Sequence, residues 1–134
     1  MTKLEEIKEI LHQKNASLVV SYSNGEIKEY YKNRINDIKE ILKENPLALK
    51  DAIIADKVIG KVAGSILTVA GVKEIYTDVI SKFAIPVLDK NNITYDYGKL
   101  VDYIQNNDKS GMCPMENKYK DETNIYVIYN EMLK

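Results

Sequence analysis

The chain has 134 residues, of which 45% are hydrophobic and 29% are charged, and its formal net charge is -1. This length suits one domain with its own core, spanning 1–134, and the charge balance argues against a broad basic surface for nucleic acids. The single cysteine, Cys113, excludes an intramolecular disulfide. Neither a membrane-spanning apolar run nor a signal-peptide pattern is present, so we expect a cytoplasmic protein.

The first third of the chain predicts two helices around a β-hairpin. Residues 3–14 carry apolar side chains at helical spacing. Asn24-Gly25, a pair that tolerates positive φ, separates the predicted strands 17–20 and 27–31. A second amphipathic helix is predicted over 34–44.

The rest of the chain predicts strands that alternate with helices. Residues 52–55 suit a buried strand, Asp56 is expected to cap a helix over about 57–70, and Gly71 is a plausible end of that helix. The remaining predictions are a strand at 73–77, a helix at 81–90 that contains an awkward Pro86, a strand at 93–97, a short helix at 99–105, a polar loop at 106–111 and a tail helix within 123–134.

Strand–helix–strand units imply parallel pairing, and the hairpin adds antiparallel strands. The sequence therefore predicts an α/β fold with a mixed sheet between helices. In such sheets the binding crevice lies at the carboxyl ends of the parallel strands. We expect it at the turns after Ala55 and after Thr77.

The first candidate site follows Ala55. One narrow face of a helix would carry Lys57, Gly60, Lys61, Gly64 and Thr68. Two lysines in the first helical turns oppose the helix dipole by about 0.3–1 kcal/mol each, and a bound anion would compensate them. The glycines would let a ligand or another backbone come close. The alternative is that both lysines are solvated and both glycines serve helix packing.

The second candidate site follows Thr77. Asp78 would face the same crevice, where it could accept a proton or pair with Lys57 or Lys61. Ser81 could contact a ligand there. The alternative is an ordinary capping turn, in which both side chains bond to backbone groups.

The third candidate site is the segment SGMCPME, residues 110–116. If this segment folds over the crevice, Cys113 near the lysines would be a reactive thiol and Glu116 an acid or base. Cys113 could equally be inert and Glu116 a surface carboxylate. The only histidine, His12, lies far along the chain from these groups, and we expect it to be a surface or half-buried residue of the first helix and not a base.

Four motifs in order, ADKVIGKVAG, GVKEIYTDVIS, YGKLVDYI and SGMCPME, resemble the DUF1893 family over about 17–117. The resemblance implies a cytidine-deaminase-like fold, which is a three-layer α/β/α sandwich around a five-stranded mixed sheet. It also implies that one crevice gathers the residues that match the family's motifs: Asp56, Lys57, Gly60, Lys61, Asp78, Ser81, Gly111, Cys113, Pro114 and Glu116.

The same resemblance implies that the protein is not a zinc-dependent deaminase. The deaminase relatives place His or Cys ligands and a Glu after the first parallel strand, and two Cys after the next. Here those places hold Asp56-Lys57 and the residues 78–81, with no His or Cys. A charged lysine cannot ligate zinc, so we expect neither a metal nor a cofactor.

Three functions remain open from the sequence. The first is a zinc-free module that binds a small anionic ligand, such as a nucleotide, in the crevice. The second is a metal-free enzyme with Cys113 as nucleophile or redox thiol, in which Lys57 or Lys61 would lower the pKa of the thiol and Asp78 or Glu116 would move protons. The third is a non-catalytic interaction protein, in which the tyrosine-rich tail could support a homo-oligomer.

Overall fold

The computed structural model describes residues 1–32, 35–106 and 108–134. Residue 34, where the second helix was predicted to begin, and the loop residue 107 lie outside these ranges. The elements are, in chain order, α1 Lys3–Gln13, β1 Leu18–Ser21, β2 Ile27–Tyr30, α2 Asn36–Glu44, β3 Ile53–Ile59, α3 Lys61–Ala70, β4 Glu74–Ser81, α4 Ile85–Lys90, β5 Thr94–Val101, α5 Pro114–Tyr119 and α6 Ile125–Met132.

The strands form one sheet of five strands in the order β2-β1-β3-β4-β5. β1 is antiparallel to both β2 and β3, whereas β3, β4 and β5 are parallel to one another. The predicted α/β fold with a mixed five-stranded sheet is confirmed. Because the parallel strands share one direction, their carboxyl ends meet at one edge, where β3 leads into α3.

Helices cover both faces of the sheet. On one face, α1 packs Ile7 and Leu11 against Val19, Ala55 and Tyr76. The larger core lies on the other face, where α2, α3, α4 and α6 bury apolar side chains against β1, β3 and β4. Among the described residues, no helix is long and apolar enough to cross a membrane.

Several local predictions are confirmed at the ends of the elements. Gly25 has φ 92° in the turn between β1 and β2, and Gly71 has φ 87° at the end of α3, where a left-handed residue closes the helix. A feature that the sequence analysis did not predict is the capping box at the start of α1, in which the Thr2 side chain and the Glu5 side chain each accept a backbone N–H. The predicted tail helix is α6.

Two predicted helix starts were wrong, because β3 and β4 each continue for four residues beyond the predicted strand. Asp56 and Lys57 lie inside β3, so Asp56 caps no helix, and α3 begins only at Lys61 after Gly60. Asp78 and Ser81 lie inside β4. Continued pairing between the two strands outweighs the helical spacing of the side chains.

The predicted helix at 99–105 was also wrong. β5 continues through Gly98 to Val101 beside β4, and Gln105 then forms an isolated antiparallel bridge with Met112. Pro86 is not awkward after all. It lies in the first turn of α4, where a missing N–H costs no hydrogen bond.

The regular pairing of the parallel strands β3, β4 and β5 is interrupted at one level of the sheet. Asp56 pairs with Thr77 and Val58 with Val79, but the ladder omits the intervening Lys57 and Asp78. The ladder between β4 and β5 omits Asp78 and Gly98 in the same way. A Cβ on Gly98 would lie 2.8 Å from the Asp78 carbonyl oxygen, so this close approach requires glycine.

Candidate functional site

The crevice at the carboxyl ends of β3 and β4 is built around the carboxylate of Glu116. This side chain comes from α5 and is only 2% exposed. Its Oε1 accepts the Lys61 backbone N–H at 2.8 Å and the Ser81 hydroxyl at 2.8 Å. Its Oε2 accepts the Ile104 backbone N–H at 2.5 Å. Three separate parts of the chain therefore direct donors at one buried acid.

The geometry of the crevice depends on Gly60. A Cβ at this position would lie 2.6 Å from Glu116 Oε1 and 2.7 Å from Ile104 Cγ1. Both distances are shorter than carbon side chains tolerate, so only glycine lets the carboxylate reach the first turn of α3. The predicted close approach at Gly60 thus has a partner, and the partner is a residue of the same chain.

Lys61 is buried in the same place, with 7% of its surface exposed. Its ammonium donates to the Lys120 carbonyl oxygen at 2.9 Å and to the Glu122 carbonyl oxygen. Burial lowers the pKa of this ammonium, while the nearby acids Asp121, Glu122 and Glu116 act in the opposite direction. The lysine therefore fastens the chain that follows α5 to the start of α3.

The charges of Glu116 and Lys61 offset each other and the partial positive charge at the start of α3, so the crevice is electrostatically balanced by groups of the chain itself. The start of α3 carries a partial positive charge and free N–H groups, which favour an anion. Glu116 supplies that anion, and Lys61, the first residue of α3, supplies a compensating cation. The crevice has the chemistry expected of an anion site, and a carboxylate of the chain occupies it.

Lys57 and Asp78 lie away from this crevice, on the face that α1 covers. The Lys57 ammonium donates to Asn15 Oδ1 at 2.5 Å. Asp78 Oδ1 lies 2.6 Å from His12 Nε2 and accepts the Tyr76 hydroxyl at 2.7 Å. The predicted pairing of Asp78 with a lysine was therefore wrong, since among its described contacts its partners are a histidine and a tyrosine.

Sequence reasoning missed the role of His12. The contact joins residues 66 apart in the chain, and no local pattern announces it. The one available signal was the position of His12 in the last turn of α1, where the helix dipole favours a cation. Both side chains remain partly open to solvent, with 47% of His12 and 32% of Asp78 exposed.

Asp56 is buried in the middle of β3, four residues before Gly60. Burial raises its pKa to about 8. The backbone N–H groups of Val58 and Lys57 lower the pKa, and the nearby carboxylates Asp37 and Asp78 raise it further. Asp56 is thus an acid that the fold keeps protonated near neutral pH, and it is not a helix cap.

The segment with the cysteine does fold over the crevice. Cys113 is half-buried and precedes α5, and its N–H donates to the Ile104 carbonyl oxygen at 2.7 Å. Pro114 is the exposed first residue of α5. The Gly111 carbonyl oxygen accepts the Asn106 N–H at 2.9 Å. No hydrogen bond links the Cys113 thiol to Lys57 or Lys61 in the described part of the chain.

The donor set of the crevice does not fit a catalytic zinc ion, which takes three protein ligands that are mostly imidazole or thiolate in such sites. The crevice offers one carboxylate, one hydroxyl and one ammonium, and the ammonium repels a cation. Within 1–32, 35–106 and 108–134, no group of three or more His, Cys, Asp or Glu side chains could hold a metal ion.

Other concave surface lies at the β2 edge of the sheet. An open groove of about 930 Å³ runs between β2 and α2, and Tyr22, Tyr30 and Leu47 are among its lining residues. None of the residues predicted for the site lines this groove.

The comparisons with known proteins agree with the fold. The model of the family described as "TM1506: Domain of unknown function (DUF1893)" matches residues 6–133. The chain is also similar to the crystal structure of a DUF1893 family protein (TM1506) from Thermotoga maritima. The TM-score is 0.87 at 25% sequence identity, over 99% of this chain and 90% of that one. No curated protein gives a significant match.

The family match is longer than the sequence resemblance, which covered about 17–117. It includes most of α1 and all of α6. Both the helix that holds His12 and the helix that packs on α3 therefore fall within the matched region. The chain belongs to the DUF1893 family.

Proposed function

We propose that the protein is a zinc-free, cytidine-deaminase-like binding protein of the cytoplasm. It would hold a small anionic ligand, such as a nucleotide, in the crevice where α3 begins. The observation that carries the proposal is the convergence of the Lys61 N–H, the Ile104 N–H and the Ser81 hydroxyl on one carboxylate. Such a set of donors, with an ammonium beside it, suits a carboxylate or phosphate equally well.

Topology supports the deaminase-like part of the proposal. The parallel strands β3 and β4 each lead into a helix, and the crevice lies at their carboxyl ends. Deaminases bind their base and zinc at the starts of two such helices. On this proposal, the Lys61 ammonium and the Glu116 carboxylate would lie where those enzymes hold the metal, which favours anion binding over metal-assisted deamination.

A second candidate is a non-catalytic interaction protein, with homo-oligomers as one form of it. It is favoured by the fact that every donor of the crevice already has a partner within the chain. In that case the network around Glu116 only maintains the fold. The enzyme hypothesis built on Cys113 stays a prediction without a contact to support it.

The test is thermal unfolding in the presence of inorganic phosphate, nucleoside monophosphates and nucleoside triphosphates. A ligand at a hundred times its Kd stabilises the folded state by about 2.7 kcal/mol. We expect such a shift for the wild-type protein and a smaller one for Ser81→Ala, which lacks one donor. Lys57→Met is the matched control, since this lysine lies outside the crevice and its loss should leave the shift unchanged.

If no anion raises the melting temperature of any of these proteins, even at millimolar concentration, the binding function is contradicted. The second candidate, a non-catalytic interaction protein, would then be favoured. A shift of equal size in wild-type and Ser81→Ala proteins, lost in Lys57→Met, would move the site to the face under α1.

A further inference from the structure

Residues 111–122, here called the strap, include α5 and close the crevice. We infer that the strap is a gate and that Glu116 is an internal competitor for the anionic ligand. The inference rests on the proposed function, and it concerns the regulation of that site. An incoming anion would have to displace the Glu116 carboxylate before it could reach the donors of α3, Ser81 and Ile104.

The strap is fastened to the crevice at three points along its length. Near its beginning, the Cys113 N–H donates to the Ile104 carbonyl oxygen at 2.7 Å. In its middle, the Glu116 carboxylate accepts hydrogen bonds from the Lys61 N–H, the Ser81 hydroxyl and the Ile104 N–H. At its end, the Lys61 ammonium holds the carbonyl oxygens of Lys120 and Glu122.

The second and third attachments share one residue. Lys61 donates its backbone N–H to Glu116 and its ammonium to the end of the strap, and both side chains are more than nine-tenths buried. Together with Asp121 and Glu122, Glu116 offsets the charge of the Lys61 ammonium, so removing its carboxylate from the start of α3 leaves this buried ammonium less compensated. A phosphate in the same place restores that charge balance, and the freed ammonium can turn toward it.

The consequence is that binding and opening are coupled. With the strap closed, the observed affinity for an anion equals the intrinsic affinity reduced by the fraction of molecules that are open. A change at Glu116 that weakens its hold raises this fraction, and with it the affinity for the anion and the exposure of the strap by the same factor. Ser81→Ala also raises the exposure of the strap, but its affinity for the anion falls because the anion loses the hydroxyl donor.

Cys113 provides a native reporter of opening. It lies in the strap and is half-buried immediately before α5. It is also the only cysteine of the chain, so a thiol reagent reports on this one position. The rate at which the reagent modifies Cys113 measures how often the strap opens.

The experiment compares the wild-type protein with Glu116→Gln, which keeps the size of the side chain and removes its charge. The control is Asn117→Gln, a change at the neighbouring exposed residue. Calorimetric titration with inorganic phosphate and the rate of Cys113 modification are measured on all three. We expect Glu116→Gln to bind phosphate about tenfold more tightly and to be modified faster by a similar factor. Phosphate should also accelerate modification of the wild-type protein.

Because Glu116→Gln could be poorly folded, Ser81→Ala is the second variant. It removes one donor to Glu116 and leaves both charges in place. We expect it to be modified faster than the wild type at Cys113 and slower than Glu116→Gln.

The results separate the two proposals. Phosphate binding of equal strength in all proteins, with modification rates that do not respond to phosphate or to either variant, would overturn the gate and keep the binding site. Faster modification of Glu116→Gln without phosphate binding to any protein would overturn the binding function and the role of Glu116 as competitor with it.

Discussion

At the scale of single residues, Gly60 is the position in the crevice where a larger side chain should be most destabilising. Gly60→Ala places a methyl group 2.6 Å from Glu116 Oε1 and 2.7 Å from Ile104 Cγ1. Glu116 must then retreat from the start of α3, or the backbone must move. We expect a loss of about 1–3 kcal/mol in the free energy of unfolding, measured by urea denaturation.

Gly64→Ala is the matched control, one turn further along α3. The nearest atom to its added methyl group would be Ala84 Cβ at 3.5 Å, an ordinary contact. Alanine is favoured over glycine inside a helix by about 1 kcal/mol, so this change should be neutral or stabilising. Equal losses at both positions would show that Gly60 serves general helix packing and not the approach of Glu116.

Asp56 makes the stability of the fold depend on pH. Burial raises its pKa to about 8 in the folded protein, and an aspartate in an unfolded chain has a pKa of about 4. The folded state keeps a proton that the unfolded state loses between these values. Its contribution is therefore complete below about pH 4 and declines as the pH rises toward 8, by up to about 1.4 kcal/mol per unit.

Asp56→Asn removes this titration, because an amide stays neutral throughout the range. Urea denaturation at several pH values between 5 and 9 should give a flatter stability curve for the variant than for the wild type. Asp102→Asn, at an exposed position, is the control and should keep the wild-type slope. A wild-type curve that does not fall between pH 5 and 8 would contradict the buried, protonated Asp56.

At the scale of elements, α1 is held by two kinds of contact that differ in strength. Its apolar side chains Ile7 and Leu11 are fully buried against the sheet. Its polar contact joins His12 to Asp78 across partly exposed side chains. Solvent screens a pair of this kind, so the apolar contact should dominate.

We therefore expect Leu11→Ala to cost about 2–5 kcal/mol in the free energy of unfolding, and His12→Ala less than about 1 kcal/mol. Chemical denaturation of the two variants beside the wild type provides the measurement. A larger loss for His12→Ala than for Leu11→Ala would mean that the pair with Asp78 fixes the position of α1 on the sheet.

The same scale explains which helix starts the sequence could not predict. Lys57, Lys61 and Gly60 between them have helical spacing, and Asp56 resembles a cap. The β-branched side chains of Val58 and Ile59 fit a strand equally well, and β4 is available beside them for pairing. Local pattern cannot decide between these outcomes, because the deciding contact comes from residues 21 positions later.

At the scale of the whole molecule, the order of elements followed from local signals. The Asn24-Gly25 turn, the Gly71 stop and the helical spacing in α1 and α6 each act within a few residues, and the turn, the helix end and the two helices that they predict are present. The mixed sheet followed from them, since alternating strands and helices leave few topologies that satisfy right-handed crossovers.

The candidate site was predicted less completely, since its parts meet only through long-range contacts. Gly60, Lys61, Ser81 and Glu116 were proposed together, and the fold brings them together. Lys57 and Asp78 were proposed with them, but the longer strands carry both to the face under α1. A shift of a few residues in a strand end is enough to move a side chain from one site to another.

The most direct test of the account is a crystal structure of the Glu116→Gln protein grown with a saturating concentration of inorganic phosphate. The account predicts a phosphate bound to the Lys61 N–H and the Ser81 hydroxyl, with the strap displaced from the crevice. A strap that stays closed, with the substituted side chain still bonded to Lys61 and Ser81 and no anion beside α3, would contradict it.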